Sequence, residues 1–150
     1  MNISLESPNQ PGVLKLIEDL DAFQIPLYPA ESHHGVDIAT LSQPNVLFAV
    51  VRDENNIPIA CGAILLTANY GELKRFYAVP SHRGKGIAQE LLSFLEEQAG
   101  IKGCTNFVLE TGNLQPAALA FYARCGYERC EPFGEYVDDP NSIFMHKMVR

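Results

Sequence analysis

The chain has no tryptophan, only four cysteines, and 11 basic residues against 18 acidic ones, for a formal charge of −7. Each shortage excludes something. A surface this acidic makes a poor general nucleic-acid binder, which needs a cationic face to displace counterions. There is no uninterrupted apolar run of about 18 residues, so no membrane-spanning helix is expected. The start, Met1-Asn2-Ile3-Ser4-Leu5-Glu6-Ser7-Pro8, lacks a basic stretch followed by an apolar one, and no secretory signal is read there. Cys61, Cys104, Cys125 and Cys130 form no Cys-x-x-Cys pair. They are expected to be reduced, mostly buried thiols in a cytoplasmic protein.

What is present is enough for a folded core. The 150 residues are 47% hydrophobic and 19% charged, which suits one domain spanning 1–150 and argues against disorder. Strand and helix signals alternate to the end, giving an α/β (α+β) class. Helices are expected at Pro11–Ala22, with an apolar stripe of Val13, Leu14, Ile17, Leu20 and Ala22, and as a short turn near Val36–Leu41. Val46–Val51, Ile57–Leu66 and Gly71–Val79 read as an antiparallel meander turning at Asp53-Glu54-Asn55-Asn56. A helix from about Gly84 to Ala99 follows, with Ile87, Ala88, Leu91, Leu92 and Leu95 on one face. Then come strand Thr105–Glu110, helix Gln115–Arg124 stopped by Gly126, and strands Tyr127–Cys130 and Ile143–Met148.

The segment with chemical content is Arg83-Gly84-Lys85-Gly86-Ile87-Ala88. A strand ends, a basic glycine turn follows, and a helix begins. The first amides of a helix have no intrahelical acceptor and carry the positive end of its dipole. Glycines there let an anion approach the backbone. The same pattern also describes a plain glycine turn with two solvated cations. It is not a P-loop, and Gln89 stands where a dinucleotide fingerprint would have its third small residue.

Arg83 to Ala88 resembles the Gln/Arg-x-x-Gly-x-Gly/Ala signature of the GNAT acetyltransferases. Leu73-Lys74-Arg75-Phe76-Tyr77-Ala78-Val79-Pro80 is similar to the strand before that loop. Gln115 to Tyr127 is similar to the family's Asn-x-x-Ala-x-x-x-Tyr-x-x-x-Gly-Phe/Tyr motif, with Gln115 in the Asn position. The resemblance implies a mixed central sheet of about six or seven strands with about four helices, the two central strands splayed into a V. It implies acetyl-CoA as acetyl donor, with no metal. Arg83, Gly84, Lys85, Gly86, Ile87 and Ala88 would hold the pyrophosphate. Tyr77, Ala78 and Val79 would pair with the pantetheine arm. Gln115, or Asn113 in its place, would touch that arm, and Tyr122 would lie beside the thioester as general acid. By periodicity alone Tyr122 reads as a core tyrosine beside Leu119 and Phe121, and only the motif resemblance makes it the acid.

The base is expected from Glu72 or Glu110, each of which also reads as a solvated or ion-paired carboxylate. A bulge would change which strand side chains face the site. Tyr28-Pro29-Ala30-Glu31-Ser32-His33-His34 resembles a Tyr-Pro-x-Glu-Ser stretch of some bacterial members, and the resemblance implies that it shapes the acceptor pocket. Tyr28 would wall it, Glu31 would bind a cation and His33 would serve as base. Ser32 also reads as a helix cap. Adjacent histidines rarely converge on one ion, so Glu31, His33, His34 and Asp37 are not taken as a metal site. Lys74 and Arg75, if they face the cleft, favour an amino-acid-like acceptor. The loop Pro132 to Pro140, with Tyr136, would cap the pocket. The expected activity is N-acetyl transfer to a small amine by direct attack. The alternatives are an acyl-CoA sensor without turnover and an acetyltransferase acting on protein lysines or N-termini. A homodimer is an expectation from exposed sheet edges.

Overall fold

In the computed structural model, which describes residues 1–149, one sheet of seven strands organises the chain. The strands are β1 (Asn2–Leu5), β2 (Val46–Arg52), β3 (Pro58–Leu66), β4 (Gly71–Ala78), β5 (Asn106–Gly112), β6 (Glu128–Cys130) and β7 (Ser142–Met148). Their order across the sheet is β1-β2-β3-β4-β5-β7-β6. Only β4 and β5 run parallel; the expected meander is β2-β3-β4. The helices are α1 (Pro11–Gln24), α2 (Ile38–Leu41), α3 (Ile87–Ile101) and α4 (Pro116–Arg124).

Strand β2 shows why the sheet is covered on both faces. Side chains alternate sides, and its run is apolar at every interior position. Leu47, Ala49 and Val51 join Ile87, Leu91, Leu92 and Leu95 of α3 in one core. Phe48 and Val50 join Val13, Leu16, Ile17 and Leu20 of α1 in the other. The expected stripe of α1 therefore shifts: Leu16 is buried in place of the partly exposed Leu14, and Ala22 is exposed. Strand β1, four residues at the sheet edge, was not expected; it pairs with β2 from Asn2↔Arg52 to Leu5↔Ala49.

The expected start of α3 at Gly84 is corrected to Ile87. Gly84 and Gly86 have φ of +81° and +78°, a left-handed geometry that no α-helix accepts in its interior.

The two central strands diverge as the resemblance implied. Strands β4 and β5 pair only at Gly71↔Phe107, Glu72↔Val108 and Leu73↔Leu109. Directly beyond, Cys61 faces Tyr77 while Ala63 faces Lys74, so Arg75 and Phe76 together oppose the one residue Gly62. This bulge bends β4 away from β5. Its strained residue is Arg75, at φ +52°. A non-glycine residue there costs roughly 1–2 kcal/mol. The Arg75 side chain holds the geometry by donating Nε to Val36 O at 3.0 Å and pairing with Asp21 of α1.

Candidate active site

The divergence opens a cleft of about 1110 Å³ between the free ends of β4 and β5. At one end lies the turn before α3. Gly84, Gly86, Ile87 and Ala88 line the cleft. Gly86 precedes the first helical turn, so the amides of Ile87, Ala88 and Gln89 have no acceptor inside the helix. A Cβ at Gly84 or Gly86 would meet nothing within 4 Å, so the backbone is open on that side. Lys85 is exposed and stands outside the cleft lining. Arg83 turns back: its Nε donates to Ala78 O at 3.0 Å, and its guanidinium carbon lies 5.6 Å from the Tyr77 ring centre.

That bond identifies the free edge of β4. Val79 N donates to Ile59 O on the β3 side at 2.9 Å. Strand alternation then turns the peptide groups of Ala78 toward the gap. Ala78 and Tyr77 line the cleft. Val79, expected beside them on the arm, spends its amide on β3 and lies outside the lining.

Tyr122, on α4, is 8% exposed and packs among Phe76, Phe121 and Tyr127. It also lines the cleft, so the core position and the cleft position coincide. Its hydroxyl has no hydrogen-bond partner among the described residues. Burial raises its pKa well above that of a free phenol, with the Cys125 and Glu110 charges adding to the shift. It therefore holds its proton at neutral pH.

Of the two carboxylates considered as base, Glu110 lines the cleft and Glu72 does not. Glu110 Oε2 accepts from Ser142 Oγ at 2.8 Å. Burial raises the Glu110 pKa; the Ser142 bond and the charges of His34 and Lys74 oppose the rise, and Glu72 adds to it. Glu72 accepts from Tyr136 Oη at 2.7 Å and pairs with Lys74 Nζ at 3.2 Å. Lys74 also donates to His34 O at 2.7 Å and to Tyr136 Oη. Lys74 and Arg75 thus line the cleft with their charges already matched by Glu72 and Asp21. Neither argues for a carboxylate on the acceptor.

Of the residues expected at the acceptor, Tyr28 and His33 line the cleft, and Glu31 is exposed outside it. His33 Nε2 lies 2.9 Å from Tyr28 O. Asp37 caps α2 through Thr40 N at 2.8 Å. Ser32 caps nothing: its hydroxyl donates to Asp139 Oδ2 at 2.6 Å and accepts from Asn141 Nδ2 at 3.3 Å. Gln115 Nε2 donates to Tyr28 Oη at 3.2 Å. Asn113 is exposed, outside the lining, with its amide on Asn141 O at 3.0 Å. Ser142 and Asn141 escaped the sequence reading, and Asp139 entered it only as part of the capping loop. Their partners lie as far as 109 residues away: Glu110 across the β5–β7 pair for Ser142, and Ser32 in the loop after α1 for Asp139 and Asn141.

The profile of the Acetyltransferase (GNAT) family matches residues 14–127. Over 149 residues the chain is 41% identical to the IAA acetyltransferase of Azospirillum brasilense, covering 98% of this chain and 97% of that relative. Among solved structures, a Klebsiella pneumoniae chain assigned as an acyl-CoA N-acyltransferase superposes with a TM-score of 0.84 at 35% identity, covering 99% of this chain and 97% of that one. A PaiA N-acetyltransferase from Thermoplasma acidophilum, solved with coenzyme A, shares the fold at a TM-score of 0.73 and 18% identity, covering 99% of both chains.

Proposed function

The chain belongs to the GNAT acetyltransferase family, and on that premise we propose that it moves the acetyl group of acetyl-CoA to the primary amine of a small molecule by direct attack in a ternary complex. The observation that carries this reading is that Tyr122, Glu110 and the glycine turn before α3 line one cleft. The diphosphate lies on the amides of residues 84–88 with Arg83 nearby, because helix-start amides and a cation both favour a bound anion. The pantetheine arm runs along the free edge of β4 at Ala78, where amide groups find main-chain partners.

Glu110 is the base in this reading. Its position in the cleft supports it over Glu72, whose charge is matched by Lys74. The amine nitrogen attacks the thioester carbonyl and its proton passes to Glu110, directly or through water. The C–S bond then breaks, and the leaving thiolate takes the proton of Tyr122. Direct transfer is favoured over an acyl-enzyme because burial raises the pKa of all four cysteine thiols. Cys125, the one in the cleft lining, is among them. A protonated thiol is a poor nucleophile.

The four free cysteines support a cytoplasmic setting, and no described helix is long and apolar enough to cross a membrane. Residues 1–150 act as one catalytic domain, and the exposed edges of β1 and β6 offer surfaces for pairing two copies.

The test is calorimetry with coenzyme A, followed by release of free thiol from acetyl-CoA across a panel of small amines. IAA, after which the Azospirillum relative is named, and a lysine peptide are assayed beside that panel. Turnover with a small amine is expected. Tight coenzyme A binding without turnover on any acceptor would leave a sensor, and turnover on the peptide alone would leave a protein acetyltransferase.

A further inference from the structure

Three loops far apart in sequence meet at the acceptor end of the cleft, and hydrogen bonds close them into a ring. The phenol oxygen of Tyr28 accepts from Leu114 N at 3.1 Å and from Gln115 Nε2 at 3.2 Å. Ser32, four residues on, bonds Asp139 and Asn141. Asn141 O accepts from Asn113 N at 3.0 Å, which returns the ring to the loop where it began. Ser142, next in the chain, donates to Glu110.

The tightest point of this ring is a glycine. A Cβ at Gly112 would fall 1.8 Å from the Tyr28 hydroxyl oxygen and 2.0 Å from Cζ. The phenol thus occupies the space that any side chain at position 112 would need. Gly112 ends β5, so the Tyr28 ring rests on bare backbone at the edge of the splay. Gln115 takes on a matching role. Its amide reaches Tyr28 rather than standing free in the cleft. An asparagine, one methylene shorter, would not make that reach without moving the start of α4.

We propose that Tyr28 is a positioning residue for the acceptor site, locking the loop that carries it onto the start of α4 and closing this end of the cleft to bulk water. The locking rests on the hydrogen bonds alone. The closing role rests on the proposed acyl transfer in this cleft. A thioester held in an open cleft loses acetyl to water: the water oxygen adds to the carbonyl, the C–S bond breaks, and acetate and free thiol leave. A closed site suppresses that loss.

Tyr28→Phe keeps the ring on Gly112 and deletes only the accepting oxygen. In the unliganded protein, hydrogen exchange of the peptide spanning 112–117 is expected to quicken by about fivefold or more, with the buried strand 46–52 unchanged. Thiol release from acetyl-CoA without acceptor is expected to rise about threefold, with the Kd for coenzyme A held within about twofold. Gln115→Asn should quicken the same exchange at smaller size, and serves for the lock if Tyr28→Phe is poorly folded.

Unchanged exchange at 112–117 would overturn the lock. Faster exchange with unchanged hydrolysis would overturn the closing role. Absence of coenzyme A binding by the wild type would instead defeat the acyl-transfer reading and the closing role with it, and the exchange measurement would still decide the lock.

Discussion

Ser142 Oγ donates a 2.8 Å hydrogen bond to Glu110 Oε2 across the antiparallel pair of β5 and β7. A bond to the charged carboxylate favours ionisation and opposes the burial that raises the Glu110 pKa. Ser142→Ala removes that opposition. If Glu110 is the base, the acidic limb of kcat/KM is expected to move to higher pH, with the plateau rate largely kept. An acidic limb that stays in place would remove either Glu110 as the titrating base or Ser142 as its tuner.

Glu110 itself makes a stability prediction of the opposite sense from an ion-paired acid. Its folded pKa is raised, so the folded state binds the proton more tightly than the unfolded chain. Ionised Glu110 therefore carries a penalty, absent below the unfolded pKa and growing as pH rises through the folded one. Glu110→Gln is expected to raise Tm relative to wild type at pH 7 and to leave it unchanged near pH 4. The same variant should lose roughly 10²–10⁴ in kcat if no other group takes the proton. Equal Tm gaps at both pH values would mean that the carboxylate is not strained.

Tyr122 tests the acid. Tyr122→Phe keeps the ring among Phe76, Phe121 and Tyr127 and deletes the hydroxyl. Since that hydroxyl has no partner among the described residues, little stability should be lost, while kcat falls by roughly 10²–10⁴ and the Kd of coenzyme A holds. Near-wild-type turnover would return Tyr122 to the core. The raised pKa of the phenol also means that no basic limb near pH 10 should trace to it.

The contrast between these residues shows what the sequence can carry. Local patterns were legible: the β2 run, the α3 stripe and the glycine turn. The facing of Lys74 and Arg75 was not, because it depends on a bulge opposite Gly62 that no periodicity announces. Nor was the base. Glu72 and Glu110 look alike in sequence; which of them lines the cleft, and their bonds to Tyr136 and Ser142 more than 30 residues away, emerge only from the fold. The start of α3 was misplaced by three residues because glycine signals a turn without saying whether the helix begins before or after it.

That turn supports a separable prediction. Gly86 sits at φ +78°, and a Cβ added there would find nothing within 4 Å, so alanine would be strained without clashing. Gly86→Ala is expected to cost roughly 1–2 kcal/mol of stability. It should weaken coenzyme A binding by about tenfold or more, because the relaxed backbone turns its amides away from the anion. Lower stability with unchanged affinity would place the diphosphate elsewhere.

Far from the cleft, Glu6 and Arg52 test the frame. Arg52 Nη2 donates to Glu6 Oε1 at 2.7 Å and Nε to Oε2 at 3.0 Å, while Gln10 and Ser4 each donate to the carboxylate at 3.0 Å. The cluster ties the chain after β1 and the start of α1 to the end of β2. Both charged side chains are largely buried, and the hydrogen bond from Arg52 lowers the Glu6 pKa to about 2. A depressed acid stabilises the fold above its unfolded pKa and loses that contribution as pH falls through the folded value. Glu6→Gln is therefore expected to cost about 1–3 kcal/mol at pH 7. Urea denaturation of the two proteins should converge as pH drops from the ordinary carboxylate value of 4.5 toward about 2. A gap that persists unchanged to the acid end would mean that the glutamine loses packing, and that the ion pair with Arg52 contributes nothing to holding β1 in the sheet.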